Sequence, residues 1–263
     1  MIIIKDIEQG SQDWFALKAG VISASRAAEF STESKLAPML DDCDFHYMKE
    51  EKMHSFYLKS GVKFMGTNKT KVQDDIRATL PRVYGDMRQG YMAELVGQIV
   101  TGLLPDEMSF KQCEWGNEHE DSARALFELE LGVDVDVPAF IYKDKGKRCG
   151  ISPDGLIVGK KIGLELKCPF TTKVFVEFAT CEKIKKEYIE QCQYSMWVTG
   201  YESWYFANYD PRIKTKNLHW VLIERDETYM KKYDEAFKNF TNDMDLMLGK
   251  LGMEFGQQWQ LTE

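Results

Sequence analysis

The chain has 263 residues, 44% of them hydrophobic, and a net charge of −8. That length and apolar fraction are enough for a real core and exclude a disordered or repetitive chain. Proteins that coat nucleic acid through bulk charge are usually basic, so the acidic balance confines any nucleic-acid chemistry to a local groove.

The N-terminal "MIIIKDIEQG" has too few apolar residues before its first charge for a secretory signal. No later segment has the length to span a bilayer. Ser11 is predicted to cap a helix running through Trp14 and Leu17 and ending near Gly20. "VISASRAAEF" then restarts, with Ser23 or Ser25 as N-cap. Residues 34–84 mix Met, Phe and Tyr with many charges and read as helical pieces joined by a loop at about 66–71. An amphipathic helix is expected at 86–102, stopped by Gly102. Another is expected at 116–131, where Ala123, Phe127 and Leu131 recur at helical spacing and Gly132 ends it. Glu120 lies on that apolar stripe, where a carboxylate is costly unless paired.

Strand signals follow in "VDVPAFIYKD", "GISPDGLIV" and "KIGLELKC". A helix is expected from about 182 to 199, then strands in "SWYFANYD" and "LHWVLIERD", then a long helix from near Glu227. Met230, Tyr233, Phe237, Phe240, Met244, Met247 and Leu251 form a heptad-like seam in it, suited to core packing or to a subunit or partner contact. This order predicts an α/β (α+β) fold with a central mixed β-sheet flanked by helices, in a single domain spanning 1–263. The six cysteines include no C-x-x-C pair, which argues against zinc and iron–sulfur sites and for a reducing compartment.

The chemistry concentrates in "GISPDGLIVGKKIGLELKCP". Side chains alternate along a strand, so Glu165 and Lys167 share one face while Ile162, Leu164 and Leu166 take the other. A short turn at Gly159–Lys160, with Val158 facing Lys161, would set Asp154 opposite Glu165. Like charges at that separation repel, and a divalent cation with hard oxygen ligands removes the conflict. With Glu120 from the preceding helix, three carboxylates converge on a site for one or two metal ions that can activate water and stabilise a phosphoryl oxygen. Lys167 would stand beside the scissile phosphate. The competing reading is a surface hairpin with solvated charges.

Pro153–Asp154 with Glu165–Leu166–Lys167 resembles the PD-(D/E)xK motif of the restriction-endonuclease-like fold. Nearly end to end, the stretches "LKAGVISAS", "WGNEHEDSARALFE", "SPDGL", "GLELKCPFT", "QCQYSMWVTG", "WYFANYDPR", "VLIERDE" and "FGQQW" resemble the phage lambda exonuclease family. The resemblance implies a Mg²⁺-dependent 5′→3′ exonuclease that degrades one strand of linear double-stranded DNA to 5′-mononucleotides and leaves 3′ tails. It implies Asp154, Glu165 and the Leu166 carbonyl as metal ligands, Glu120 at a second metal, Lys167 as catalytic lysine, and Tyr188 and Gln191 beside the site. Mn²⁺ would substitute for Mg²⁺. Lys18, Ser25 and Ser152 map to the family's 5′-phosphate pocket; lysine at 18 replaces the lambda enzyme's arginine and loses its bidentate fork. Implied partners are DNA ends, two further copies in a homotrimeric ring, and a single-strand annealing protein, in the cytoplasm of a bacterial host. An endonuclease of the same fold and a non-catalytic DNA adaptor remain alternatives. Residues 34–84 do not align with the family. There Lys69, Lys71 and Arg77 are candidate DNA contacts and Phe64 or Met65 a candidate wedge. Basic clusters at Lys143/Lys145/Lys147/Arg148, Lys183/Lys185/Lys186 and Arg212/Lys214/Lys216 are candidate phosphate contacts.

Overall fold

The computed structural model describes residues 1–32, 43–58, 61–79, 84–103 and 111–260. In chain order the elements are β1 (Ile2–Ile4), α1 (Gln12–Lys18), β2 (Ile22–Ser23), α2 (Ala27–Phe30), β3 (Cys43–Met48), β4 (Met53–Leu58), β5 (Lys63–Gly66), α3 (Lys69–Thr79) and α4 (Asp86–Thr101). There follow α5 (Lys111–Leu131), β6 (Val135–Asp136), β7 (Phe140–Tyr142), β8 (Cys149–Ile151), β9 (Gly155–Ile157) and β10 (Ile162–Lys167). The last are α6 (Thr172–Cys181), α7 (Lys186–Thr199), β11 (Ser203–Tyr209), β12 (Leu218–Glu224) and α8 (Glu227–Lys250). Contacts divide these residues into two compact units, Met1–Ser31 with Gly90–Glu263, and Thr32–Gln89.

The larger unit is a mixed α/β structure with two sheets. One is ordered β12-β11-β10-β9-β6, with β10 and β11 parallel and the other pairs antiparallel. Parallel neighbours need a crossover, and α6 and α7 supply it. The other sheet is ordered β1-β7-β8-β2, with β2 and β8 parallel. Helix α7 contacts β7 and β8 of one sheet and β10 and β11 of the other. That placement explains why Cys192 to Val198 are all buried, since a helix covered on every side has no polar face. Gly200 ends α7 at φ +72°, a left-handed conformation that suits glycine. On the opposite face of the five-stranded sheet, Ala123 and Phe127 of α5 pack on Leu164, Leu166 and Ala207.

Several expected elements differ in extent. "VDVPAFIYKD" divides between the two sheets as β6 and β7, with Pro138, which has no N–H to give a ladder, in the gap. "GISPDGLIV" divides likewise into β8 and β9 around Pro153 and Asp154. Helix α5 begins at Lys111, before the expected start, and α6 is a helix that the periodicity did not announce. In α8, Met230, Tyr233, Phe240, Met244 and Leu248 are buried, and Phe237 and Met247 pack against the same core. Most of the seam is thus core packing, and only Leu251 points away, at 56% exposed.

The smaller unit corrects the expectation of helical pieces at 34–84. It holds a three-stranded antiparallel sheet, β3-β4-β5, with α3 packed through Val72 and Ile76 onto Phe56 and Phe64. Phe64 is therefore occupied in this small core, while Met65 is exposed. The Arg77 side chain and residues 33–42, 59–60 and 80–83 lie outside the described residues. No helix among the described residues is long and apolar enough to cross a membrane.

Gly163 faces Trp204 across the β10–β11 ladder, and a Cβ there would lie 2.3 Å from the fully buried indole. Gly163→Ala is expected to cost about 1–3 kcal/mol through overpacking, read as a lower midpoint in thermal or urea unfolding.

Candidate active site

The β9–β10 ladder pairs Leu156 with Gly163 and Gly155 with Leu164. Extended by one residue, the same register sets Asp154 opposite Glu165, as the hairpin spacing predicts. The turn itself sits one residue early. Lys160 donates its N–H to the Ile157 carbonyl at 3.1 Å, and Gly159 takes φ +74° inside that turn.

Because β9 starts at Gly155, the Leu166 N–H of β10 has no ladder partner on that side. The Asp154 carboxylate takes it instead, Oδ2 accepting at 2.6 Å. Glu165 is 2% exposed, and its Oε1 accepts from both the Lys167 ammonium and, at 2.6 Å, Gln191 Nε2. Gln191 and Tyr188 lie one turn apart on α7. The Tyr188 ring stacks on Phe206 with centroids 5.4 Å apart, and Lys167 Nζ lies 5.5 Å from its centroid. Glu120 reaches the cluster from α5. Its Oε1 accepts from Arg124 Nη2 at 2.5 Å, while Arg124 Nε donates to the Asp154 backbone carbonyl at 3.0 Å. Arg124, absent from the sequence candidates, thus fastens α5 to the Asp154 corner. Its only signal in the sequence is its position four residues after Glu120.

Burial is the first cause that pushes the Glu165 carboxyl up to about 7, and the Asp154 charge is the second, against Lys167. Burial and then Asp154 likewise push Glu120 up to about 7, against Arg124. Burial raises Asp154 too, opposed by Lys167 and the Leu166 N–H. For Lys167, burial acts downward, but the charges of Glu165 and Asp154 outweigh it and keep the ammonium protonated.

Among the described residues, no three or more His, Cys, Asp or Glu side chains form a ready-made metal cluster. As the side chains lie, Arg124 engages Glu120, while Lys167 and Gln191 share one oxygen of Glu165. The donor chemistry still fits a hard cation. Asp154 and Glu165 are carboxylates each raised by burial, and Asp154 pushes Glu165 further up. The Leu166 carbonyl points to the same side of its extended strand as the N–H held by Asp154.

Of the residues mapped to phosphate binding, Ser152 and Lys18 meet at Trp14, and Ser25 follows β2, the strand beside β8. Parallel pairing sets Ser23 beside Gly150, and two residues further along each chain stand Ser25 and Ser152. Ser25 lies within a short 3-10 turn, Ala24–Arg26, whose N-cap Ser23 makes no side-chain capping bond; the two hydroxyls lie 3.3 Å apart. Trp14 connects the remaining pair, its Nε1 donating to Ser152 Oγ at 3.0 Å while Lys18 Nζ sits 3.6 Å over its ring. Trp14 was not among the candidates. Several of the basic candidates are engaged by other groups of the protein. Lys143 donates to the Trp197 carbonyl, Arg148 pairs with Asp245, and Arg212 pairs with the fully buried Asp210.

Residues 82–202 match the YqaJ-like viral recombinase domain. The Escherichia coli (strain K12) protein ExoD is 53% identical over 79 residues, a match covering 30% of this chain and 91% of that protein. The chain belongs to the phage lambda exonuclease family. Its fold matches the crystal structure of an alkaline exonuclease, LHK-Exo, from Laribacter hongkongensis, with TM-score 0.67 and 25% identity over 92% of this chain and 96% of that one. LHK-Exo has also been crystallised in complex with dAMP. A phage-related exonuclease from Haemophilus somnus shares the fold at TM-score 0.59, with 15% identity over 88% of this chain and 96% of that one.

The raised carboxylates make a signed prediction for protein held in chelator. Between about pH 4.5 and 7 the unfolded chain has released protons that folded Glu120 and Glu165 keep, so stability is lost as pH rises through that window. Relative to wild type, Glu165→Gln should gain on the order of 1–3 kcal/mol more at pH 8 than at pH 5 in urea unfolding. An equal offset at both pH values would contradict this electrostatic picture.

Proposed function

We propose that the chain is a Mg²⁺-dependent 5′→3′ exonuclease that degrades one strand of linear double-stranded DNA to 5′-mononucleotides. The single observation that carries this reading is the meeting of Asp154, Glu165 and Lys167 at the C-terminal end of β10, the middle strand of its sheet. Similarity to LHK-Exo, an alkaline exonuclease, supports the substrate class.

In this reading Asp154, Glu165 and the Leu166 carbonyl hold one Mg²⁺ and Glu120 helps to hold a second, with Mn²⁺ able to replace them. Bound ions of this kind lower the pKa of water and draw charge from a phosphoryl oxygen. Lys167 brings an ammonium, kept charged by its acidic neighbours, to the phosphate as negative charge builds there. Gln191 fixes the orientation of Glu165, and Tyr188 packs beneath the Lys167 ammonium. Ser25 and Ser152 donate hydroxyls to the terminal 5′-phosphate and Lys18 contributes charge. Lysine acts there as a point charge, without the two-pronged geometry of arginine.

Family resemblance adds a homotrimeric ring with DNA entering its channel. A closed ring keeps the product strand threaded, which gives processivity. It also lets an acidic outer surface coexist with a basic channel. The resulting 3′ tail would pass to a single-strand annealing protein for recombination, in the cytoplasm of a bacterial host.

The test is digestion of end-labelled duplex with and without Mg²⁺. Linear DNA should be consumed from its 5′ ends only with the metal, and covalently closed circles should survive. Asp154→Ala should lower the rate at least about a hundredfold. Cleaved circles would favour an endonuclease, and undiminished digestion by Asp154→Ala would refute the site. A 5′-hydroxyl end should be degraded more slowly than a 5′-phosphate end, and Lys18→Ala should narrow that difference.

A further inference from the structure

Next to the catalytic strand the sheet carries polar residues to which the mechanism above gives no task. Along the β10–β11–β12 ladder Lys167 pairs with Asn208, and Asn208 pairs with His219. Directly paired residues point to one face of a sheet, so Lys167, Asn208 and His219 form a row. Its face is the one covered by α6 and α7: Phe178 packs on Phe206 and His219, and Tyr188 stacks on Phe206, the ladder partner of Glu165.

Asn208 is 2% exposed, and its Oδ1 has no hydrogen-bond partner among the described residues. A buried carboxamide oxygen without a donor is costly and uncommon in native proteins. The next side chain in the row is an ammonium with three N–H donors, and Glu165 Oε1 accepts from it. That same Glu165 oxygen already serves Gln191. Once Glu165 turns its oxygens to a cation, the lysine needs another acceptor to hold its aim. His219 does not meet the need of Asn208. Its ring stands edge-on to Phe178 with centroids 5.0 Å apart, and its Nε2 is likewise buried and unpartnered.

We propose that Asn208 is a positioning residue for Lys167, its Oδ1 accepting a Lys167 N–H when the ammonium leaves Glu165 and turns to the phosphate. An acceptor on the neighbouring strand gives the ammonium a fixed direction, because Asn208 is the ladder partner of Lys167. The proposal rests on Lys167 as the catalytic lysine and goes beyond it by assigning the group that holds it.

The experiment uses the full-length protein as wild type, Asn208→Leu, Asn208→Asp and Lys167→Ala. Initial rates are measured with Mg²⁺ over a range of 5′-phosphorylated duplex ends, and urea midpoints are measured in chelator. Leucine keeps the branching of the side chain and removes an unpaired buried amide, so Asn208→Leu should keep or raise the midpoint. Its kcat should fall ten- to a hundredfold with KM unchanged. Asn208→Asp keeps the acceptor oxygen and should return kcat to within a few-fold of wild type. Wild-type kcat in Asn208→Leu, with Lys167→Ala inactive, would overturn the role of Asn208 and leave the nuclease reading standing. A kcat loss accompanied by a lowered midpoint and shared by Asn208→Asp would also overturn it, as the mark of a packing role. Full activity in Lys167→Ala would sink the underlying reading and this proposal together.

Discussion

Like charge gathered in a dry place is the constraint around which the larger unit is organised. Asp154 and Glu165 face each other across the continuation of one hairpin, and Glu120 arrives from the helix on the far side of the sheet. Burial raises all three, and the charge of Asp154 raises both glutamates further. Each carboxylate is tolerated because something specific answers it: Arg124 for Glu120, the Leu166 N–H for Asp154, Lys167 and Gln191 for Glu165. Under the proposed reading such a set would exchange side-chain cations for metal cations, with Glu120 held on a helix, Glu165 on a strand and Asp154 in the short link between β8 and β9.

The same backbone joins the carboxylate cluster to the Ser152 corner. Segment 149–157 pairs with β2 on entering and with β10 on leaving, so Ser152 follows the last residue of one sheet's strand and Asp154, two residues on, precedes the first residue of the other's. Trp14 stitches the first of these to α1 by bonding Ser152 and carrying Lys18 over its ring. Helix α7 lies between the sheets and presents Gln191 to Glu165 and Tyr188 to Lys167. Small shifts in α7 would therefore be felt at Glu165, which argues for its dense packing as a requirement of the site.

Much of this was legible where one physical rule dominates. Alternation in "IGLELK" separates Glu165 and Lys167 from the leucines, and a short turn fixes the register of Asp154 even though the turn forms one residue early. The 3.6-residue stripe of α5 points to Glu120, and Asp226 caps α8 beside the expected start. The signal fails where rules conflict. In "TKVFVEFATC" valines and phenylalanines blur the helical period, and only the burial of Phe175 and Phe178 on β11 and β12 decides for helix. In β3 and β4, aromatic residues occupy both faces, as Phe56 and Tyr57 show, and the charged "KEEK" between them reads as helical. Arg124, Trp14 and Asn208 were hidden because their partners are distant in sequence: a corner carbonyl, a serine hydroxyl and a lysine on the neighbouring strand.

The central claim is that the buried carboxylates exist to hold metal. Crystals soaked in Mn²⁺ and measured at its absorption edge test it directly. The account predicts anomalous density within coordination distance of the Asp154 and Glu165 carboxylates and the Leu166 carbonyl, lost in Asp154→Ala. Saturating Mn²⁺ with no density beside those carboxylates, or density unaffected by removing Asp154, would contradict it.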